Sequence, residues 1–214
     1  MSDRPIIFSG PMVRAILAGR KTQMRRVLKP QPIFDGSLWH LMAPGFDGGA
    51  HGIYDSDAEM LAEKNIWWRK QLHVPGDRLL VRETLCAKSN DQGLRWHSYA
   101  ADGRDVFPLT EWRKERDSIP SIHMPRWASR LTLIVEDVRV QRLQEISEVD
   151  AEAEGVEPIL VPPDGGGIQH VEGFRVTWDS LNAKRGYGWE RNPWVVALTF
   201  RAIQKNIDEV NSDD

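Results

Sequence analysis

Residues 130–143 constrain the fold of this chain more than any other stretch. Leu131, Leu133 and Val135 share one parity, and Val138 and Val140 share the other. A run with period two is a strand that turns one face to a core, and a one-residue change of phase swaps that face. The change falls at Glu136-Asp137, which predicts a bulge or sharp bend within one long strand. Small closed barrels turn their corners with such bends. A second alternation, Trp194, Val196, Leu198 and Phe200, predicts a further strand.

The remaining elements are short. Ile6 to Phe8 reads as a strand. Ser9 can cap a helix with Pro11 in its first turn. Met12, Ala15 and Ile16, with Val13 beside them, supply an apolar face at helical spacing. Gly19 stops that helix, because glycine enters the left-handed conformation without a Cβ clash. Residues 22–29 read as a strand, 33–56 as Gly-rich and irregular, 57–71 as a helix, and 78–83 as a strand with Leu79 and Val81 on one face. A hairpin is expected around Ala101-Asp102-Gly103. Ser147-x-x-Asp150 opens a short acidic helix that Gly155 closes. Residues 158–173, with Pro162-Pro163 and Gly165-Gly166-Gly167, read as a loop, and a helix follows from about Phe174 to Asn182.

Short strands mixed irregularly with two or three short helices do not fit a βαβ sheet. They predict an α+β fold: a small mixed β-barrel with flanking short helices and two long loop insertions. The expected organisation is a single domain over 1–207, with insertions at about 31–73 and 87–128 and a loop at 158–173. An acidic tail, 208–214, is expected to fray.

Composition narrows the function classes. The 214 residues carry a net charge of −3, so no global cationic field draws the chain onto a polyanion. The single cysteine, Cys86, excludes an intramolecular disulfide and a multi-cysteine zinc site. No apolar run approaches the ~20 residues of a membrane span. The first residues lack the apolar core of a signal peptide. A soluble, cytoplasmic protein without membrane contact is expected. The six histidines show no H-x-x-x-H spacing, and neither a P-loop nor a Gly-x-Ser-x-Gly elbow is present. No metal and no cofactor are expected.

Charge is unevenly placed, however. Residues 1–30 hold seven basic side chains and one acidic one, a local +6, while residues 144–157 hold six acidic side chains and no Lys or Arg. The densest stretch is Gly19-Arg20-Lys21-Thr22-Gln23-Met24-Arg25-Arg26. Cations past a helix C-terminus are favoured by its exposed carbonyls alone. The same cluster also suits an anion or nucleotide. In the acidic segment, Glu152 fits the ordinary preference of acids for early helical turns. Glu154 instead precedes the helix stop, where the dipole disfavours a carboxylate, so it needs a local partner or a task. A cation from the basic head would serve. Glu83 reads either as part of a surface charge pair or as a polar group at a barrel mouth. Trp39, Trp67, Trp68 and Trp96 lie in the proposed insertions and are the candidates for base stacking. Trp178, Trp189 and Trp194 read as buried.

Gly19, Lys21 and Arg26 resemble the Gly-x-Lys-x-x-x-x-Arg signature of the ASCH family, within the PUA-like superfamily. The resemblance extends over most of residues 4–203. It includes Arg4-Pro-Ile-Ile-Phe-Ser-Gly-Pro-Met-Val, Pro75-Gly-Asp-Arg with Val81-Arg-Glu, His123-Met-Pro-Arg-Trp-Ala-Ser-Arg, Ser147 through Gly155, and Asn192-Pro-Trp-Val. The chain looks like the larger ASCH-type proteins of phages and prophages. The resemblance implies a PUA-like β-barrel with the first helix beside it, a cleft between that helix end and the barrel, and binding of RNA or of a modified nucleotide or nucleoside, with DNA as a further ligand class.

One branch of the family is similar to N4-acetylcytidine amidohydrolases, which use a lysine, a threonine three residues later and a glutamate on a later helix. Lys21 and Glu154 match the first and last. The threonine position is Met24, whose thioether can neither attack a carbonyl nor relay a proton. Thr22 is the nearest hydroxyl, but in an extended strand it points away from the Lys21 side. It replaces the nucleophile only if the chain is irregular just past Gly19, and a water activated by Lys21 or Glu154 is the other route.

Three readings follow. The first is a nucleic-acid or nucleotide-binding module, with Gly19, Lys21, Arg25, Arg26 and Glu83 at the ligand and Glu154 holding Lys21 or accepting from an exocyclic amine. The second is an amidohydrolase, or more remotely a ribonuclease, with Lys21 and Glu154 as catalytic groups. The third is a phage accessory module whose insertions bind another protein. The first two require Lys21 and Glu154 to line one hollow.

Overall fold

A computed structural model describes residues 3–42, 50–62, 73–106, 117–161 and 167–211. In chain order the elements begin with β1 (Asp3–Ile7), α1 (Gly10–Leu17), β2 (Gln23–Val27), β3 (Ile33–Phe34), β4 (Trp39–Met42), β5 (Ala50–Tyr54) and α2 (Asp57–Ala62). They continue with β6 (Arg78–Arg82), β7 (Leu85–Ser89), β8 (Arg95–Tyr99), β9 (Ser118–Ile119) and β10 (Thr132–Arg142). The chain completes with α3 (Glu148–Ala153), β11 (Ile159–Val161), β12 (Gly167–Gln169), α4 (His170–Asn182) and β13 (Trp194–Ile203). This is a mixed α+β fold, mostly strands with few short helices.

The chain divides into two compact units. One comprises residues 1–22, 75–136 and 199–214, and the other residues 23–74 and 137–198. The division inside β10 falls at Glu136-Asp137, the pair where the hydrophobic phase changes. Both side chains there are exposed, so the strand continues while its buried parity does not.

In the first unit, β1 runs parallel to β6, from Asp3 opposite Arg78 to Ile7 opposite Arg82. β6 pairs antiparallel with β10, and the order is β1-β6-β10-β13. A smaller sheet, β8-β7-β9, covers a core of Leu85, Tyr99, Val106, Ile119, Met124 and Ala128. The expected hairpin at Ala101-Asp102-Gly103 forms, closed by Gly103 N–H to Tyr99 C=O at 2.8 Å. Residues 206–211 are anchored over the part of the tail described. Ile207 and Val210 are buried, and the Asn206 amide donates to the carbonyls of Arg126, Trp127 and Ser129.

In the second unit the order is β10-β13-β2, beside a β3-β4-β5 sheet and a β11-β12 hairpin. Its core joins Leu143, Ile146, Ala151, Phe174, Trp178 and Val195.

Several sequence expectations are corrected here. No barrel closes among the described strands, since the strand order ends at β1 and at β2. The stretch 33–56, read as irregular, contains three paired strands. Residues 158–173, read as a loop, contain the β11-β12 hairpin and the first turn of α4. That helix starts at His170 because the Glu148 carboxylate, 22 residues earlier, accepts the His170 N–H at 2.7 Å. A cap brought from so far along the chain leaves no local pattern. The helix expected over 57–71 is described only to Ala62, and the rest lies outside the described residues. Among the described residues no helix is long and apolar enough to cross a membrane.

Candidate functional site

Lys21 follows a helix end built as the sequence suggests. Gly19 has φ +71°, and its N–H donates to Ile16 C=O at 2.9 Å while Arg20 N–H donates to Ala15 C=O. These are the two bonds of a Schellman closure. Lys21 N–H also reaches Ala15 C=O, at 3.1 Å, so the backbone of Lys21 is tied to the helix terminus. Lys21 is 2% exposed, with Nζ 6.0 Å from the centroid of the Phe8 ring. Burial of an ammonium is costly and marks a group that is paired or has a task. Thr22, next along, is exposed. The two side chains therefore occupy different environments, as an extended backbone requires.

The first unit also holds Glu83, which is 1% exposed and grips Arg130 through both oxygens at 2.9 Å. The Arg130 guanidinium lies 3.8 Å from the Tyr99 ring centroid and pairs with Asp102 at 2.7 Å. Burial is the largest influence on Glu83 and pushes its carboxyl above the usual range, against the pull of Arg130. Burial likewise pushes the Tyr99 hydroxyl up to about 12. Of the two sequence readings of Glu83, a surface charge pair is excluded by this burial. It is an interior ion pair.

In the second unit, β2 and α3 build a charged cluster. Arg25 has a fully buried side chain. Its Nη1 donates to Glu154 Oε1 at 3.1 Å and Gln23 Oε1 at 3.2 Å, and its Nη2 to Asp150 Oδ2 at 2.9 Å. Gln23 Nε2 closes the ring on Asp150 Oδ1 at 2.8 Å. The guanidinium carbon stands 6.0 Å from the Phe174 centroid. Burial opposes the charge on Asp150, but Gln23, Arg25 and Arg139 together outweigh it and hold that carboxyl below its ordinary value.

The helix that carries Asp150 and leads into Glu154 is the one the sequence outlines. Ser147 Oγ caps Asp150 N–H, and Gly155 follows at φ +72°. Glu154 is the C-cap of α3, 6% exposed. The cation it needs at the unfavourable dipole end is supplied by Arg25. The sequence singles out Asp150 only as a capping-box residue. Its ionic role is legible in its i, i+4 relation to Glu154, which puts both acids on one helix face.

The other predicted residues are placed one by one. Met24 is buried, at 4% exposure, and Arg26 is exposed. Lys21 belongs to the first unit and Glu154 to the second, and each is placed here within its own unit. Trp39, a stacking candidate, is instead buried, edge-on to Trp194 at 5.8 Å. Trp96 is partly exposed, and its indole N–H donates to Asp105 at 2.9 Å. Trp67 and Trp68 lie outside the described residues. Trp178 and Trp194 are buried, and Trp189 packs against the same core as Trp178. Among the described residues no group of three or more His, Cys, Asp or Glu is arranged to hold a metal ion.

No family model, no curated protein and no solved structure matches this chain.

Proposed function

We propose that this chain is a nucleotide- or nucleic-acid-binding module of the ASCH, PUA-like kind, with Gly19, Lys21 and Glu83 as its candidate ligand groups in the first unit and Arg25, Arg26 and Glu154 as those in the second. One observation carries the reading. Among the described residues five Lys, Arg, Asp or Glu side chains are buried: Lys21, Arg25, Asp77, Glu83 and Glu154. All five are residues that the ASCH resemblance or the charge pattern takes in, Asp77 within Pro75-Gly-Asp-Arg. Interior charge is expensive and clusters at functional sites, which supports a binding role for Lys21 in the first unit and, separately, for the Arg25 cluster in the second. The exposed Arg26 adds a guanidinium suited to phosphate.

Binding is favoured over amide hydrolysis by two side chains. Met24 fills the nucleophile's position as a buried thioether, and Thr22 is exposed where Lys21 is buried. The test is a titration of single-stranded RNA, single-stranded DNA, cytidine and N4-acetylcytidine at about 50 and 200 mM salt. Binding that weakens with salt and falls in a Lys21→Ala, Arg26→Ala variant is expected. Absence of binding of every ligand at the lower salt, or binding indifferent to the double substitution, overturns the proposal.

A further inference from the structure

Between α4 and β13 the second unit carries Lys184-Arg185-Gly186-Tyr187-Gly188-Trp189-Glu190-Arg191, a run outside every motif considered so far. We propose that this loop, together with Lys29, is a contact surface for single-stranded nucleic acid, with cations on the phosphates and Tyr187 stacking on a base. The partner's class rests on the binding reading above. The residues are independent of Lys21, Arg25 and Glu154.

The first support is rigidity. Two short 3-10 turns, Ala183–Arg185 and Trp189–Arg191, flank the tyrosine. Trp178 Nε1 donates to Tyr187 C=O at 2.7 Å, and Trp189 N–H to Asp179 Oδ1 at 2.7 Å. Gln144 donates its amide to Trp189 C=O and its backbone N–H to Asn192 Oδ1. The Trp189 ring stands edge-on to Phe174 at 6.4 Å. A loop held this way has little conformational entropy left to lose on binding.

The second support is unbalanced charge. Lys29, Lys184, Arg185 and Arg191 are all exposed. Among the described residues none of the four makes an ion pair with a carboxylate. Two acids lie close in sequence, Asp179 and Glu190. Both act on Arg175, which Glu172 already holds, and Asp179 also accepts the Trp189 N–H. The cations thus form a local positive field on a chain whose net charge is negative.

The third support distinguishes a nucleic acid from an acidic peptide. Lys29 Nζ stands 5.6 Å from the centroid of the partly exposed Tyr187 ring. Gly186 has φ +83° with open space where a Cβ would stand, so the backbone beside the ring is accessible. Aromatic rings interleaved with cations serve bases and phosphates together, whereas a row of carboxylates uses only the cations.

The experiment uses the full chain and fluorescently labelled twelve-residue oligo(U), oligo(dT) and poly-glutamate, followed by anisotropy over a salt series. Lys184→Ala, Arg185→Ala should lower oligo(U) affinity about tenfold or more and flatten the log–log salt slope by about 1.4, from roughly 0.7 per phosphate contact on single strands. Tyr187→Leu should weaken binding at least about fivefold with the slope unchanged, because stacking releases no counterions. Unaltered melting temperatures confirm that these exposed changes leave the fold intact. No oligonucleotide binding, an unchanged slope in the double variant, or poly-glutamate binding as tightly as oligo(U) with the same sensitivities overturns the inference. Lys21→Ala, measured in parallel with free nucleosides, separates the two proposals: nucleoside binding unchanged by Lys21→Ala with intact loop dependence sinks only the first, and nucleoside binding lost in Lys21→Ala without loop dependence sinks only the second.

Discussion

Arg25 and Glu154, 129 positions apart in sequence, meet as an ion pair at 3.1 Å with both side chains buried. The same guanidinium also holds Asp150 and Gln23, so one side chain ties the start of β2 to the end of α3. Arg25 thus holds Asp150 and Glu154 at once.

Arg25→Met leaves Glu154 and Asp150 without their shared cation. Breaking a buried pair from one side typically costs about 3–5 kcal/mol. A loss near the lower end is expected, since Asp150 keeps Gln23 and Arg139. Arg25→Lys keeps the charge but not the planar fork and should lie between. Urea unfolding of the three proteins checks the order, and an Arg25→Met variant as stable as the parent would contradict it.

Met24→Thr tests the chemistry left open by the family resemblance. On the binding reading, neither the parent nor the variant releases acetate from N4-acetylcytidine. The variant should also lose about 2 kcal/mol, because a buried thioether is replaced by a shorter side chain with a hydroxyl to satisfy. Turnover by the variant alone would move the chain among hydrolases.

The ends of the first unit are joined by charge. Arg126 pairs with Asp3 and with Asp208, each at 2.7 Å, and Arg78 pairs with Asp3 at 2.8 Å. Arg78, then Arg126, hold the Asp3 carboxyl below its ordinary 3.8, and Arg126 does the same to Asp208. A lowered carboxyl contributes stability above its unfolded value and loses it as the pH falls through the folded one. Asp3→Asn should therefore destabilise the protein at pH 7, with the difference from the parent shrinking as the pH falls below the ordinary value of 3.8 and through the lowered one. Thermal melts across that range supply the measurement, and a difference that grows on acidification would refute the assignment.

Gly173 lies inside α4, where alanine is intrinsically better by about 0.8–1 kcal/mol. A Cβ there would stand 2.2 Å from the Glu157 carbonyl oxygen, which is backbone and cannot swing aside. Gly173→Ala should thus destabilise, by about 1–3 kcal/mol. A stabilised variant in calorimetry would show that the close approach relaxes freely.

The sequence alone determined those features whose cause is local. The helix stop at Gly19, the cap at Ser147 and the hairpin at Gly103 each depend on residues a few positions apart, and each is where the pattern puts it. The need of Glu154 for a cation was equally legible, because a carboxylate at a helix C-terminus is disfavoured whatever surrounds it.

Tertiary structure decided what depends on partners distant along the chain. That Arg25 meets Glu154, that Glu148 starts α4 ahead of Phe174, and that Trp39 packs inward on Trp194 are all contacts between residues remote in sequence. No periodicity encodes such pairings, since hydrophobic pattern fixes which face is buried but not which remote group it will meet.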